Sequence, residues 1–443
     1  MSKKATVVTL GCAKNSVDSE HIKGSLVKNG ITLLEDPGDA DYIIVNTCGF
    51  VETAKQESIN TILELTALKN DAHQKKIIVT GCLVQRYHDE LASEIPEIDA
   101  LVGLAKEWNI AEMINAGVFD NGKKTPPSRS FTEYPERVLS GLPSAYLQIA
   151  DGCDNKCSYC AIPFIRGRYR SKPLEKVIAE AHQLDDGRVK EINLIAQDTG
   201  RYGYDIYGRK RLIGLLDSLT GFNNIEWIRL LYLQPYTIED DLIYAIKRDH
   251  LIVPYLDIPF QHASHKILRA MNRNGAGSDY LAQIAWLRRS IPEITLRTSV
   301  IVGFPGETED DFDELIEFIK NAELDYAGIF EYSAEEGTAA AVLDNQVPED
   351  IIKERYHQLT ALQDLISQRR SENRVGKIFD VLIEREVDPE ADLFEGRAWW
   401  QAPEVDGVIY VTGEVKPGDI VKVALDEFDG CDFYGRVMHG PSK

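Results

Sequence analysis

Residues 149–173 read IADGCDNKCSYCAIPFIRGRYRSKP, and Cys153, Cys157 and Cys160 crowd into eight positions with the spacing C-x3-C-x2-C. An apolar run at residues 146–150 predicts a strand just before them, so the cysteines fall in a loop at a strand's carboxyl end. Loops at that end build the active sites of β/α folds. Three thiolates so close can hold three corners of an iron–sulfur cube. Zinc is the rival metal, but structural zinc takes four ligands. No fourth Cys or His lies nearby, and His182 is more than twenty residues on. Three soft ligands leave one metal position open, which suits an iron that also binds substrate. The plainer alternative is three structural cysteines.

The β/α alternation continues outward from this loop. Candidate strands are 146–150, 191–196, 227–233, 255–258, 295–302 and 326–332, with helical spacing at 174–184, 212–219, 239–246 and 310–320. Six such units over about 190 residues suggest a partial or distorted (β/α) barrel, with an open sheet as the alternative. A long polar helix follows at 348–373. From residue 375 the pattern changes to short strands and turns (KIFDVLIERE, APEVDG, VIYVTG, KPGDIVKVAL), which reads as a small all-β barrel.

Upstream, apolar strands at 5–10, 41–46 and 75–80 alternate with helical stretches at 19–29 and 53–68. This predicts a parallel sheet covered on both faces. The expected division is therefore α/β throughout, with a β-rich tail: 1–118 a parallel α/β domain, 119–142 a linker, 143–374 the partial barrel with its trailing helix, and 375–443 the small barrel. Cys12, Cys48 and Cys82 each follow one of the upstream strands, in VVTLGC, IIVNTC and IIVTGC. Neighbouring parallel strands end about 5 Å apart on one edge, so three cysteines distant in sequence converge there. The adjacent Gly11, Gly49 and Gly81 permit tight turns and close approach to a ligand. A second three-thiolate site is the reading; three buried cysteines are the alternative. Cys431 stands alone and reads as a structural or free thiol.

The chain has 443 residues, with 49 Lys plus Arg against 71 Asp plus Glu, a net charge of −22. Such a balance argues against a protein built to grip bare nucleic acid or an anionic membrane. No apolar run reaches transmembrane length and the start carries no signal-peptide core, so a cytoplasmic protein, with metal or catalytic rather than disulfide cysteines, is expected.

These motifs resemble the radical S-adenosylmethionine methylthiotransferases over nearly the whole chain. Tyr159 precedes the last cysteine of the C-x3-C-x2-C loop, where that superfamily usually has an aromatic. GCAKN, NTCGF and GCLVQRY look like the family's amino-terminal domain, and the tail looks like a TRAM domain. Of two branches, one modifies transfer-RNA adenosine (MiaB-like) and one an aspartate of a ribosomal protein (RimO-like). GCAKNSVDSE, NTCGFVETAKQES, AIPFIRGRYRSKP and EGRAWWQAPEVDG are closer to the second.

The resemblance implies a 4Fe-4S cluster on Cys153, Cys157 and Cys160 whose open iron binds S-adenosylmethionine, and a second on Cys12, Cys48 and Cys82. It implies methylthiolation of the β-carbon of an aspartate in small-subunit ribosomal protein twelve. S-adenosylmethionine would then be both methyl donor and source of the 5′-deoxyadenosyl radical. An electron donor such as flavodoxin or ferredoxin and a sulfur donor are implied as partners; a monomer is expected.

Gly303 and Gly306, in TSVIVGFPGE, resemble a segment near the S-adenosylmethionine site, an ordinary βα turn being the alternative. His262 in DIPFQH and Gln197–Thr199 end strands and could line the pocket. Arg166, Arg168 and Arg170 could dock an acidic electron donor, contact substrate or form a solvated loop. Tyr202, Tyr204 and Tyr207 are read as a structural loop or a cover on the barrel mouth. Residues 375–443 carry 7 basic and 15 acidic groups, a net of −8. This tail would repel phosphates and attract a basic protein, which favours the ribosomal-protein branch over the transfer-RNA one. A non-catalytic iron–sulfur carrier or scaffold is the alternative of another class.

Overall fold

The computed structural model describes residues 3–69, 75–119, 121, 131 and 134–438. The amino-terminal domain is a parallel sheet of β1 (Lys4–Thr9), β2 (Thr32–Leu33), β3 (Tyr42–Thr47), β4 (Lys76–Gly81) and β5 (Ala100–Val102), in the order β2-β1-β3-β4-β5. The central strands are apolar on both faces because helices cover both. Helices α1 (Ala13–Lys28) and α4 (Ile110–Ala116) pack Ile22, Leu26 and Ile114 on Ala5, Ile44 and Ile78. On the other face α2 (Glu52–Ala67) and α3 (Cys82–Glu94) pack Ile62, Leu65 and Leu91 on Ile43, Val45 and Val79. The strand order reverses between β1 and β3, which opens a crevice at their carboxyl ends.

The second domain starts with β6 (Ser144–Gln148). The short antiparallel pair β7 (Ala150–Asp151) and β8 (Arg170–Ser171) closes the base of the cysteine loop, within which lies α5 (Ile162–Ile165). The chain then runs α6 (Leu174–Asp186), β9 (Glu191–Ile195), α7 (Tyr204–Tyr207), α8 (Leu212–Leu219), β10 (Trp227–Leu230), α9 (Asp240–Arg248) and β11 (Ile252–Asp257). It continues through α10 (His265–Ala270), α11 (Gly277–Ser290), β12 (Thr295–Val302), α12 (Glu309–Ala322), β13 (Tyr326–Glu331) and α13 (Glu349–Glu372). The parallel strands follow one another as β6-β9-β10-β11-β12-β13 without reversal. Right-handed crossovers in unreversed order put the helices on one face, as in a barrel. Ile192, Leu194, Ile228, Leu230 and Leu256 accordingly meet helices. The edge strands β6 and β13 do not pair with each other, so the barrel is partial and its inner face needs another cover.

The tail supplies part of that cover. Strands β14 (Ile378–Asp388), β15 (Leu393–Ala398), β16 (Ile409–Thr412), β17 (Ile420–Asp429) and β18 (Asp432–Val437) form a closed barrel. The inward Ile195, Trp227, Leu231, Tyr255 and Tyr326 share one apolar cluster with Val381, Trp400 and Ile409 of this barrel. The loop from β15 to β16, which contains APEVDG, reaches onto the inner face: the Tyr255 hydroxyl donates to Asp406 Oδ2 at 2.5 Å, and Arg229 Nη1 to the Trp399 carbonyl at 2.7 Å. Glu191 is fully buried between Arg229 and Arg397. Burial pushes its carboxyl up, but Arg397 and Arg229 outweigh this and hold it at about 2. The described end of the expected linker is also pinned: buried Arg137 pairs with Glu20 of α1 and, at 2.8 Å, with Glu180 of α6.

Candidate functional site

The crevice at the β1/β3 reversal is where the first cysteine triad gathers. Cys12 caps α1, Cys48 follows β3 directly, and Cys82 opens α3. Thr47 is in register with Gly81, so Cys48 and Cys82 follow neighbouring residues on adjacent strands. The turns are tight: at Gly11, whose φ is +93°, a Cβ would lie 2.6 Å from Cys48 Cβ. Buried Asn15 ties the loops together, its Nδ2 donating to the carbonyls of Leu10 at 2.8 Å and Thr47 at 3.0 Å. Ser58 Oγ accepts from the Cys48 amide at 3.1 Å. Cys12 and Cys82 sit at helix amino termini, whose partial positive charge favours thiolate. Burial acts against this and pushes the Cys48 thiol up and the Cys82 thiol to about 12, even with the Arg166 guanidinium nearby.

The second triad lies in the loop between β7 and β8. Gly152, with φ +75°, lets this loop fold onto its own return: a Cβ there would lie 2.2 Å from the Arg168 carbonyl. The Cys153 amide donates to the Gly167 carbonyl at 3.1 Å. The segment after α10 holds the other side, with Arg273 Nη1 at 4.0 Å from Cys157 Sγ and Asn272 Nδ2 donating to the Lys156 carbonyl at 2.7 Å. Burial pushes the Cys153 thiol to about 11 and Cys160 to about 12. Burial thus favours the thiol form at Cys48, Cys82, Cys153 and Cys160, and binding metal there releases protons. Among the described residues no three Cys, His, Asp or Glu side chains are grouped to hold one metal ion. Zinc would need its sulfurs about 2.3 Å from one point. Thiolates that do not converge on one point fit a cube, where each meets a different iron.

The segments that carry the two triads meet at a buried seam. Cys82 shares one buried apolar cluster with Leu104 and with Ala161 and Ile165 of the segment after Cys160. Arg166 spans the seam: its Nη2 lies 3.0 Å from Asp18 Oδ2, 2.9 Å from Asn15 Oδ1 and 3.7 Å from Cys82 Sγ, while Nη1 meets Asp151 Oδ1 at 3.1 Å. It is 2 % exposed, which corrects the reading of Arg166 as part of a docking patch or solvated loop; Arg168 alone of the three is highly exposed. Glu335, in the loop after β13, adds a second tie through Arg86 at 2.5 Å and Lys55 at 2.8 Å.

Tyr159 packs with Phe304, Met271 and Tyr332, so the GFPG turn does meet the cysteine loop. The turn's amides are engaged within the protein: Gly303 and Phe304 donate to Glu307 Oε2 at 2.9 and 3.3 Å, and Gly306 to the Asn345 carbonyl at 2.8 Å. His262 is wholly buried, with Nε2 3.3 Å from Glu307, and packs rather than lining an opening. Gln197 has neither amide atom hydrogen-bonded, and Asp198 accepts from Asn155 of the cysteine loop at 3.0 Å. Tyr202 is core and donates to the Lys172 carbonyl, while Tyr204 and Tyr207 stay exposed on α7. Cys431 is an exposed thiol in the turn from β17 to β18. Lys14, Asn15, Asp18 and Arg273 were not singled out from the sequence, although Lys14 and Asn15 stand inside the GCAKN motif.

Residues 4–103 match a family described as uncharacterized (UPF0004), 147–319 the radical SAM superfamily, and 375–438 the TRAM domain. Among curated proteins, the ribosomal protein uS12 methylthiotransferase RimO of Acetivibrio thermocellus is 44% identical, covering 100% of both chains. The protein of the same name from Pelotomaculum thermopropionicum is 45% identical over 99% of this chain and 100% of its own. Among solved structures, the radical S-adenosylmethionine methyltransferase TsrM of Kitasatospora setae, with cobalamin and a [4Fe-4S] cluster bound, has TM-score 0.55 at 14% identity, covering 75% of each chain. The cobalamin-dependent radical enzyme OxsB has TM-score 0.53 at 12% identity, covering 83% of this chain and 56% of that one. At such identities the structural matches speak for the fold.

Proposed function

Because the chain belongs to the radical S-adenosylmethionine methylthiotransferases named for ribosomal protein uS12, we propose that it transfers a methylthio group to the β-carbon of an aspartate in uS12, with S-adenosylmethionine as both methyl donor and radical source. The observation that supports this reading is the buried seam where Cys82 shares a cluster with Ala161 and Ile165 and lies 3.7 Å from Arg166 Nη2, joining the segment after the second triad to the first. Cys153, Cys157 and Cys160 would hold the 4Fe-4S cluster that binds S-adenosylmethionine, and Cys12, Cys48 and Cys82 the second. When bound, these groups supply the electron that releases a 5′-deoxyadenosyl radical and a sulfur site that accepts the methyl group.

The chain's own residues supply position and dryness. Arg166 clamps the seam through Asp18, Asn15 and Asp151, and the burial of Cys82 and Ala161 would keep water from the space beside it. Tyr159, packed on the cluster that holds Phe304 between Gly303 and Gly306, would wall the S-adenosylmethionine side. The small barrel's −8 charge favours a basic protein partner over RNA. A flavodoxin or ferredoxin, a sulfur donor, a cytoplasmic location and a monomeric state complete the proposal; no described helix is long and apolar enough to cross a membrane. The test is incubation of the reconstituted enzyme, S-adenosylmethionine, a reductant and sulfide with uS12 and, separately, with transfer RNA. A methylthio mass gain on uS12 is expected. A gain on RNA alone overturns the substrate, and absence of reductive S-adenosylmethionine cleavage overturns the enzyme class.

A further inference from the structure

One cation at the junction of the two triads lacks a carboxylate of its own. Lys14 lies two residues after Cys12 on α1 and is 7 % exposed. Its Nζ stands 3.9 Å from the centre of the Tyr232 ring, and among the described residues it makes no hydrogen bond or ion pair. The charged groups that face it are Cys12, Arg166, Asp151 and Asp257. Both carboxylates are committed elsewhere: Asp151 to Arg166 at 3.1 Å, and Asp257 to Arg297 at 3.2 Å and the Tyr232 amide at 3.2 Å. Burial pushes Lys14 below the ordinary lysine range, the Tyr232 face compensates it only in part, and its amine keeps donors that no described protein group takes.

Tyr232 gives a second, independent sign. It follows β10 at the carboxyl end of the barrel and holds φ +61°, a left-handed conformation that costs an aromatic residue of order 1 kcal/mol or more. Its carbonyl accepts from the Thr199 amide at 3.1 Å, which, with the Asp257 contact, fixes the strained backbone. Tyr232 itself is half-buried, whereas Lys14 is 7 % exposed. The protein thus keeps a strained backbone at Tyr232 and an uncommitted amine at Lys14 beside the first triad.

We propose that Lys14, poised over Tyr232 between the two triads, receives the carboxylate of the acidic residue that is modified and so anchors the substrate side chain. This rests on the reading of the chain as a uS12 aspartate methylthiotransferase and names the group that would recognise the target. A carboxylate held by Lys14 leaves the adjacent β-carbon one bond away, and the anchor selects an acidic side chain over an amide by charge.

The experiment is a binding measurement on the reconstituted full-length enzyme, using purified uS12 and uS12 whose target aspartate is replaced by asparagine. Lys14→Met should bind uS12 about ten- to hundredfold more weakly, the range lost with one charge-assisted hydrogen bond. Its iron content and visible spectrum should match the unaltered enzyme, and Lys14→Arg should recover part of the affinity. The asparagine form of uS12 should lose a similar factor against the unaltered enzyme and nothing more against K14M. That last comparison stands even if K14M folds poorly, because its first arm needs no altered enzyme. Equal affinity of K14M and the unaltered enzyme for uS12 overturns the anchor alone. So does loss of iron from K14M, which would assign the charge to the Cys12 triad instead. An unaltered enzyme that neither binds nor modifies uS12 overturns the functional reading, and the anchor with it.

Discussion

The two cysteine triads solve the same problem in opposite ways. Cys153, Cys157 and Cys160 are neighbours in the chain, and one loop closed by β7 and β8 presents all three. Cys12, Cys48 and Cys82 come from three strands, and only the completed sheet brings them together. A local site depends on loop conformation; a dispersed one depends on the whole domain. The first should therefore fail through small backbone insults, and the second through loss of the contacts that hold elements and domains in place.

The largest expected effect comes from removing one triad at a time. Replacing Cys153, Cys157 and Cys160 together by alanine should leave about four of about eight irons and abolish S-adenosylmethionine cleavage. Replacing Cys12, Cys48 and Cys82 should also leave about four irons, yet keep cleavage and lose product. Iron analysis with product mass spectrometry checks both; unchanged iron in the second variant removes the dispersed site. Next is Arg166→Met, which takes the shared guanidinium from Asp18 and Asp151 in a buried place. Breaking such a network costs about 3–5 kcal/mol. A denaturant titration should show that loss, with Arg166→Lys milder.

Gly152→Ala should cost about 2 kcal/mol, because the added Cβ meets backbone at positive φ. It should lower iron at the local triad only, whereas Gly141→Ala, with nothing within 4 Å, is the control for positive φ alone.

The smallest effect is acid sensitivity, which separates the two domain seams. Burial holds His21 at about 3, against an ordinary value of 6.5, where α1 meets Glu180. The unfolded chain binds that proton first, so this seam's stability is full above 6.5 and falls as pH drops toward 3. Glu191, at the small barrel, is depressed to about 2 from 4.5; its contribution is full above 4.5 and is lost as pH falls toward 2. Fluorescence of Trp108, packed on His21, should therefore change at a higher pH than that of Trp400, and His21→Phe should remove the early change.

Much of this was legible from local pattern. Strand ends and helical spacing placed the cysteines of both triads at carboxyl edges, because burial on both faces writes runs such as IIVN and IIVT directly into the chain. The helices of residues 265–290 escaped, since α10 and α11 follow a strand end with polar and glycine-rich spacing. Arg166 escaped for a different reason. Within RGRYRSKP it is one of three look-alike arginines, and its partners Asp18 and Asn15 lie almost 150 residues away. Lys14 is hidden in the same manner: nothing in GCAKN reveals that its ammonium rests on Tyr232. Pairings across domains leave no periodicity behind.

The loop that β15 and β16 send onto the inner barrel face bears on how this architecture can diversify. Trp399, Asp406 and the Glu191–Arg397 pair make the tail part of the barrel's interior rather than an appendage. Grafting a tail from a relative would import a new outer surface but must keep this inner plug intact. Deleting it would bare Leu231, Tyr255 and Tyr326 to solvent. The outward faces of β14 to β18 are free of this constraint, while the inserted loop is held by the strands it covers: the chain is modular on its surface and indivisible at its centre.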